Sequence, residues 1–299
     1  MDMTQQEQLM DWFIRYSSIL KKRSTHRQKE RFLQAFQTDV SAIRDDFNVD
    51  EFKLHPKDPY TYHNVYVGDM HRATQIICTY YDTPTVVWRD YAYFDIKQHE
   101  QSTTWLIMFT ALSYIIAGGL FTWLVTIPML AGGHLISVPS ILMVVGYLAY
   151  FLMLGQMTRG WPSRHTLIQN SSSLVALLGI LGAQRKPTVA FAFVDAGCTN
   201  DAGLKRVLRR KKGKCRFFMV ENIGGDTPLY AITNDTVHQY RDIEGFENTT
   251  TAMKMDDRIT HLISAKKYGD RFVLPLAQLR QKKINALNME VLSHFIESL

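Results

Sequence analysis

The chain has 299 residues, of which 46% are hydrophobic and 21% are charged, and its formal net charge is +6. This balance excludes a disordered chain, a collagen and a small disulfide-rich protein. The three cysteines are far apart and show neither metal-binding nor redox spacing, which favours a reducing, cytosolic environment. The modest positive charge favours an acidic neighbour without identifying one.

The N-terminal hundred residues combine helical and β-type patterns. Apolar residues recur at helical spacing over residues 4–22 and again over residues 26–47. A proline-containing loop follows the second helix. Residues 64–68 and 74–81 are rich in β-branched and aromatic side chains, which predicts two β-strands, the second of them central in a sheet.

A long uncharged segment comes next, since residues 101–158 contain no Asp, Glu, Lys or Arg. It divides near Gly132 and Gly133 into halves of about 20 to 25 residues, and about 20 apolar residues suffice to cross the hydrocarbon core of a bilayer as a helix. We therefore predict a transmembrane hairpin with helices over about residues 104–130 and 135–154. The alternative is an apolar hairpin buried in a soluble core.

Lysine and arginine flank this hairpin in sequence but do not occur in its turn. Arg89 and Lys97 precede the first predicted span, and Arg159 and Arg164 follow the second. By the positive-inside rule, both soluble parts and both termini are expected in the cytoplasm. The N-terminus lacks the basic start and the apolar stretch of a signal peptide.

The segment after the hairpin alternates predicted strands with predicted helices. Strands are expected over residues 188–194, 217–220, 229–233 and 272–276, and helices over residues 171–182, 201–212 and 288–299. The helix over residues 171–182 is apolar but too short to span a bilayer, so we predict that it is buried. Its three consecutive serines, residues 171–173, are expected to cap it.

This alternation is typical of an α/β sandwich in which helices flank a mostly parallel central sheet. We accordingly predict one cytoplasmic α/β domain that is split in sequence by the transmembrane hairpin. Residues 1–100 form its N-terminal part, residues 101–158 form the hairpin, and residues 159–299 form its C-terminal part.

Several short stretches occur in the order in which a known enzyme family carries its motifs. NVYVG and QIICTYYDTP look like a strand pair whose second strand ends in His-x-Asp-Thr, and QNSSSLVALLGIL is similar to an Asp-Asn-x-Ser-Gly segment that opens a helix. VAFAFVDAGCTNDAGLKRVL, FFMVENIGGD and QLRQKKINALNMEVLSHFIESL resemble the three later motif segments. Together these stretches resemble the co-catalytic zinc aminopeptidases of metallopeptidase family twenty-eight (clan MH). The resemblance implies a zinc-exopeptidase-like sandwich.

The resemblance also implies two zinc ions, held by imidazole and carboxylate ligands, and a glutamate that takes the proton from the attacking water. Placed motif by motif on this sequence, the first histidine ligand is replaced by Tyr80, although Asp82 is retained beside it. The bridging aspartate is replaced by Gln169, although the following Asn170 is retained. The bridging charge that keeps two divalent ions close is therefore missing.

The later motifs also lack residues that the family uses for metal binding and catalysis. The Glu-Glu pair is replaced by Gly197 and Cys198, so that the general base and one ligand are lost together. A ligand aspartate is replaced by Glu221, and the last histidine falls on Gln278. We call these positions, with Tyr80, Asp82, Gln169 and Asn170, the vestigial cleft. No catalytic residue, metal or other cofactor is predicted there.

The strongest concentration of positive charge follows the vestigial cleft in sequence. This basic cluster consists of Lys205, Arg206, Arg209, Arg210, Lys211, Lys212 and Lys214. Anionic lipid would attract such residues by about 1 kcal/mol each near a membrane surface, whereas the alternative is a solvated helix face. Nucleic-acid binding is not expected, because no recognition motif accompanies the charge. A second basic group, which includes Arg23 and Lys29, is expected at helix ends.

The sequence thus predicts a membrane-anchored, catalytically inactive, peptidase-like pseudoenzyme that binds a peptide or protein partner at the cytoplasmic face, next to the lipid bilayer. Two alternatives stay open. The chain could be an active membrane-bound, metal-dependent aminopeptidase with an unusual ligand set that includes Glu221 or Asp82. It could also be a structural subunit of a membrane complex, in which Gly118 and Gly119 permit close helix contact.

Overall fold

The structure is a computed structural model that describes residues 3–86, 89–132, 137–158, 161–211, 213–234, 243–251 and 255–299. Gly133, Arg159 and Lys212, which the sequence analysis named, lie outside the described residues. The chain divides into two compact units. The first comprises described residues of 1–84, 88–94 and 163–299, and the second comprises those of 85–87 and 95–162. The domain boundaries predicted from the sequence stay predictions.

The first unit is built on an eight-stranded mixed sheet in the order β1-β2-β5-β3-β6-β9-β7-β8, beside a small three-stranded sheet in the order β10-β11-β4. In chain order the strands are β1 (Phe47–Phe52), β2 (Tyr62–Val67), β3 (Gln75–Tyr80), β4 (Tyr91–Ala92), β5 (Val189–Val194), β6 (Arg216–Glu221), β7 (Leu229–Thr233), β8 (Glu247–Thr250), β9 (Ile259–Ser264), β10 (Lys266–Tyr268) and β11 (Arg271–Leu274).

The large sheet is parallel only in part. Strands β5, β3, β6 and β9 pair in parallel at its centre, and β7 pairs with β8 in parallel at one edge. Strands β1, β2 and β5 pair antiparallel, as do β9 and β7. The expected mostly parallel sheet is therefore a mixed sheet, because β1 and β2 form a hairpin on one side, which needs no crossover helix.

The helices complete a mixed α/β fold in which the large central sheet is flanked by helices. In chain order they are α1 (Met3–Ile14), α2 (His26–Ile43), α3 (Ile96–Phe121), α4 (Ile127–Ala131), α5 (Val138–Thr158), α6 (Ser172–Leu181), α7 (Gly197–Asn200), α8 (Ala202–Arg210), α9 (Leu276–Leu279) and α10 (Ala286–Ser298). Single π-helical turns follow α1 and α3 and precede α6.

Alternating side chains of the central strands supply two hydrophobic layers. In β5, Phe191 and Phe193 face the larger layer, which helices α1, α2, α6 and α10 cover. Ala190 and Ala192 of the same strand face the smaller layer, which helix α8 covers. All of β5 is buried, as expected of a strand with helices on both faces.

One predicted helix ends earlier than its apolar pattern suggested. The sequence predicted a helix to Phe47, whereas α2 ends at Ile43 and Phe47 begins β1. The chain turns extended at Arg44, whose side chain donates to the carboxylate of Asp46. Phe47 then pairs with Val67 across the β1–β2 hairpin. Pairing with a distant strand therefore decided the conformation of Phe47 over its local periodicity.

The predicted strand over residues 272–276 also differs from the structure. Strand β11 ends at Leu274 because Pro275 and Leu276 turn into α9, and the backbone amide of Leu276 donates to Asp90 Oδ1 at 2.8 Å. It pairs with β10 and β4 in the small sheet. Strands β1, β4, β8, β9 and β10 have no counterpart among the strands that the sequence predicted.

The second unit contains two helical segments, residues 101–131 and 138–157, that are long and apolar enough to cross a membrane by length and composition. Only 6% of the most apolar window of each segment is buried. Helices α3 and α5 meet through aromatic rings: Tyr114 and Tyr150 stack with centroids 4.5 Å apart, and Tyr150 Oη donates to the Tyr114 carbonyl at 3.0 Å.

Adjacent glycines on α3 test this packing. A Cβ atom added at Gly118 would lie 2.3 Å from Tyr150 Oη, whereas one added at Gly119 would meet nothing within 4 Å. We expect Gly118→Ala to weaken the α3–α5 contact by about 1–3 kcal/mol, because the stacked Tyr150 ring must move. Gly119→Ala is the matched control and is expected to be neutral or slightly stabilising. Unfolding of the full chain in mixed micelles with SDS, followed by ellipticity, measures both; equal effects would contradict the packing.

Candidate functional site

Three neighbouring parallel strands end at one edge of the sheet, which we call the carboxyl edge. Strand β3 runs into Asp82, β5 into Asp195, and β6 ends at Glu221. Because β3 lies between β5 and β6, these carboxylates are brought to the same edge. Ligands of open α/β sheets bind at the carboxyl ends of the strands. The carboxyl edge is therefore the candidate functional site.

Asp82 is the centre of a buried hydrogen-bond network. Its carboxylate accepts from the backbone amides of Gly197, at 3.0 Å, and of Cys198, at 3.2 Å. Its backbone carbonyl accepts from Asn170 Nδ2 and, at 3.2 Å, from Cys198 Sγ. Burial raises the pKa of Asp82 to about 6, although the charge of Lys29 opposes the shift. The structure thus brings Asp82, Asn170, Gly197 and Cys198 of the vestigial cleft together.

Tyr80 fills part of the same edge. A Cβ atom at Gly197 would lie 2.4 Å from Tyr80 Cβ, so glycine is required where the ring passes. Tyr80 Oη donates weakly to the Gln169 carbonyl at 3.5 Å, and Gln169 itself is buried. Burial and then the charge of Glu221 raise the pKa of Tyr80 well above its ordinary value. Tyr80 is therefore a neutral phenol next to Glu221.

A lysine supplies positive charge to the buried carboxylates. Lys29 Nζ lies 2.5 Å from Asp195 Oδ1, and the Asp195 side chain is fully buried. Burial alone would lower the pKa of Lys29, but the charges of Asp195 and Asp82 outweigh it, so that the pKa is raised. The ammonium thus remains charged between the two carboxylates. The sequence analysis placed Lys29 at a helix end and did not include it in the site.

Arg23 is a second buried cation that the sequence analysis did not place at the site. Its guanidinium donates to Asn170 Oδ1 and to Ser171 Oγ, both at 3.1 Å. Burial lowers the pKa of Arg23 to about 10, and the charges of Cys198 and Asp82 oppose the shift. Arg23 thus anchors the segment that carries Asn170. The sequence shows only that Arg23 is a basic residue between two predicted helices. Many exposed arginines occupy such positions, so its burial at the site could not be predicted.

Glu221 and the side chains beside it form what we call the rim of the carboxyl edge, where Glu221 is 8% exposed. His261 Nδ1 lies 3.5 Å from Glu221 Oε1 and packs against the ring of Phe94 at a centroid distance of 4.8 Å. Burial, and then the charge of Glu221, raises the pKa of Asp201. Asn222 donates through Nδ2 to Tyr93 Oη. The rim thus carries two carboxylates near one histidine.

Two of the polar atoms at the rim are buried without a hydrogen-bond partner in the described part of the chain. They are Asn222 Oδ1 and His261 Nδ1. The backbone at this edge is also unusual, because Phe94, Ala196, Asp201 and Asn222 are non-glycine residues with φ values between 53° and 66°. Such conformations are costly and concentrate at functional sites.

Gln278, the last predicted position, lies on helix α9, which packs against the Leu167–Ser171 segment that carries Gln169 and Asn170. Gln278 Oε1 accepts from Thr227 Oγ1 at 3.1 Å, and no hydrogen bond joins it to Asp82, Cys198 or Glu221 among the described residues. Ser171, the residue before α6, does not cap that helix through its side chain. Ser172 Oγ instead accepts from the Gly224 amide at 3.2 Å, which ties α6 to the turn after β6. These serines are buried, and a buried hydroxyl bonds to whichever amide packs against it.

Some residues of the basic cluster pair with neighbouring groups, and its role as a membrane-facing patch stays a prediction. Arg206 and Arg210 both pair with Asp50, at 2.7 and 2.8 Å. Lys211 donates through Nζ to the carbonyl oxygens of Met70 and His71, at 2.9 and 2.5 Å. Lys205, Arg209 and Lys214 are exposed.

Solved structures of similar fold are glutaminyl cyclases and zinc-dependent exopeptidases. The glutaminyl cyclase of Bacteroides thetaiotaomicron, bound to N-acetylhistamine, has 10% sequence identity and a TM-score of 0.56 over 97% of this chain and 96% of that one. A leucine aminopeptidase precursor from the same organism has 10% identity and a TM-score of 0.53 over 95% and 93% of the two chains. A Zn-dependent exopeptidase from Parabacteroides distasonis has 11% identity and a TM-score of 0.51 over 96% of each chain.

No protein-family profile matches the chain, and no curated protein sequence is significantly similar to it. The structural neighbours therefore establish an aminopeptidase-like fold and nothing about activity. The zinc-exopeptidase-like fold that the resemblance implied is confirmed at this level. Membership of metallopeptidase family twenty-eight stays a prediction.

The residues at the carboxyl edge do not fit the two zinc ions that the resemblance implies. The Asp82 carboxylate is engaged by two backbone amides. Burial and the charges of Asp82 and Glu221 raise the pKa of Cys198 well above its ordinary value, whereas zinc binds the thiolate. Among the described residues, no group of three or more His, Cys, Asp or Glu side chains is placed to hold a metal ion.

The ion pair between Lys29 and Asp195 is expected to be necessary for the stability of this edge. Lys29→Met leaves Asp195 buried without its cation, and breaking a buried pair in this way costs about 3–5 kcal/mol. The double variant Lys29→Met, Asp195→Asn should recover part of that loss, because the Asp195 charge is no longer buried without its cation and only Asp82 still lacks it. Glu30→Gln, at an exposed position of the same helix, is the control and should change stability by less than about 0.5 kcal/mol. Denaturant unfolding measures all three, and a loss no larger than that of the control would disprove the role of Lys29.

Proposed function

We propose that this chain is a membrane-anchored, aminopeptidase-like protein that binds a peptide or protein partner at its carboxyl edge and does not carry out zinc-dependent hydrolysis. The observation that carries the proposal is the charge at this edge. Asp82 and Asp195 are buried together with Lys29, so a cation of the chain itself compensates them. The second hypothesis, an active metal-dependent aminopeptidase with an unusual ligand set, requires these carboxylates to exchange that cation for metal.

The replacement of the general base supports the absence of hydrolysis. The resemblance places the base at Gly197 or Cys198, and Gly197 has no side chain. The Cys198 thiol donates to the Asp82 carbonyl, and its raised pKa keeps it protonated. Loss of a general base alone costs a rate factor of about 10² to 10⁴. Gly197 and Cys198, in place of the Glu-Glu pair, therefore remove both a metal ligand and the general base.

Repulsion between two carboxylates supports the binding of a partner. Glu221 and Asp201 lie close enough for the charge of Glu221 to raise the pKa of Asp201. A cationic group of the partner, such as a peptide amino terminus or a lysine, would relieve this repulsion.

The helices of the second unit support the membrane anchor. Their large apolar side chains, including Trp105, Phe109, Leu148 and Leu152, are exposed. Exposed apolar area on this scale requires either a lipid or a protein environment. With the arginines and lysines outside the hairpin, the orientation of lowest cost keeps both termini in the cytoplasm. A structural subunit, whose interface is the hairpin, is the third hypothesis.

Metal content and turnover test the first half of the proposal. We expect the full chain, purified in detergent and incubated with Zn²⁺, to retain well under one zinc ion per chain after buffer exchange. It should show no cleavage of aminoacyl substrates and no cyclisation of N-terminal glutamine above the level of the Glu221→Gln variant. Mass spectrometric metal analysis and substrate assays measure this. About two zinc ions per chain, with turnover that Glu221→Gln or Asp82→Asn abolishes, would establish the aminopeptidase instead.

A peptide panel tests the second half. We expect short peptides with a free amino terminus to bind the full chain measurably, and their N-acetylated counterparts to bind at least about tenfold more weakly, because a charge-assisted hydrogen bond to the rim is lost. Glu221→Gln should weaken binding of the free peptides to the same extent. Glu290→Gln, at an exposed position of α10, is the matched control.

Calorimetry in detergent measures these affinities. Equal binding by free and acetylated peptides, or no effect of Glu221→Gln, would contradict a cationic partner group at the rim. Partner capture that depends on the hairpin sequence and survives Glu221→Gln would favour the structural subunit.

A further inference from the structure

A second concave site lies beside α8 and shares no residue with the carboxyl edge. This basic pocket has a volume of about 400 Å³. It is lined by the end of β1 with the loop after it, and by α8 with the last residue of α7. The lining side chains that matter most are Phe52, Lys53, Lys205, Arg206, Arg209 and Arg210. A pocket of this size is within the range of small-molecule sites.

The charge of the basic pocket is one-sided. Five of the lining residues are lysine or arginine, and none is aspartate or glutamate. One carboxylate, Asp50, pairs with Arg206 and Arg210 from behind, and its side chain is only 6% exposed. Lys205 Nζ donates to the Asn200 carbonyl at 2.7 Å. Because this carbonyl carries no net charge, it does not neutralise the lysine. Most of the positive charge is therefore uncompensated.

Two of the cations are held in place before any ligand binds. Arg206 donates to Asp50 through Nε at 2.7 Å and through Nη2 at 3.0 Å, and its guanidinium lies 5.3 Å from the centre of the Phe52 ring. Arg210 Nη2 lies 2.8 Å from the second oxygen of Asp50. Tyr66 Oη donates to Asp50 at 3.1 Å and fixes the carboxylate in turn. An anion would therefore meet ordered guanidinium groups, which lowers the entropic cost of binding.

Two further cations remain available. The side chains of Lys53 and Arg209 are exposed and make no hydrogen bond or ion pair with the described residues. They face the pocket from its two walls, the loop after β1 and helix α8. Like charges brought together in one pocket repel one another, so an anion between the walls would be attracted strongly.

We infer that the basic pocket binds a group that carries two or more phosphates. A single carboxylate would leave most of the pocket charge unmatched, whereas guanidinium groups recognise phosphate oxygens through paired hydrogen bonds. The charge is confined to one pocket rather than spread along a stripe, which disfavours a nucleic-acid strand. Two kinds of molecule carry such a group: a soluble polyphosphorylated compound and a phospholipid whose headgroup has two phosphates. This inference does not depend on partner binding at the carboxyl edge.

Calorimetry of the full chain in detergent with inorganic tripolyphosphate tests the inference. At near-physiological salt we expect saturable binding with one site per chain, and binding of inorganic monophosphate at least about tenfold weaker. The double variant Lys53→Glu, Arg209→Glu should lose at least about tenfold in affinity, with unchanged thermal unfolding because both side chains are exposed. Lys214→Glu, an exposed residue of the basic cluster outside the pocket, is the matched control and should lose less than about twofold.

The same titration in nanodiscs separates the two sources. If cardiolipin, with its two phosphates, weakens tripolyphosphate binding relative to discs of phosphatidylcholine alone, a lipid headgroup occupies the pocket. Equal binding in both discs assigns a soluble ligand. Absence of saturable binding up to 1 mM tripolyphosphate, equal affinity for monophosphate, or an equal loss in Lys214→Glu would each overturn the inference.

Discussion

Positive charge at the carboxyl edge is the constraint on which the rest of this site depends. Asp82 and Asp195 leave the ends of adjacent strands, and both are buried. Two carboxylates in such surroundings need a cation nearby, since desolvation disfavours their charged forms. Lys29 supplies that cation from helix α2, and its own pKa rises in response. Lys29 therefore both attaches helix α2 to the sheet and compensates the buried carboxylates of the site.

The same constraint orders the neighbouring side chains. With Lys29 in place, Asp82 can accept from the amides of Gly197 and Cys198, which holds the turn after β5 against the turn after β3. Tyr80 then packs where Gly197 leaves room. The Asp82 carboxylate is thus satisfied within the chain, whereas at the rim the charge of Glu221 raises the pKa of Asp201.

The first unit has one acidic surface, the rim of the carboxyl edge, and one basic surface, the basic pocket, and the two are separate. Glu221 and Asp201 make the rim of the carboxyl edge acidic, and α8, which follows Asp201 in sequence, presents its arginines to the basic pocket. Asp50 compensates two of those arginines and orients them.

Local pattern was sufficient for much of this protein. The uncharged run, the buried strand β5 and the buried helix α6 were all evident in the sequence, because periodicity and composition report burial directly. The aminopeptidase-like fold was suggested by the resemblance of its motifs to a known family. The strand assignment of Phe47 and the mixed pairing of the sheet were decided by tertiary contacts. The same holds for Arg23 and Lys29, which resemble surface residues in sequence and became buried only because distant strand ends offered them carboxylates and amides. Burial of a charge depends on partners far along the chain, and a local pattern carries no record of them.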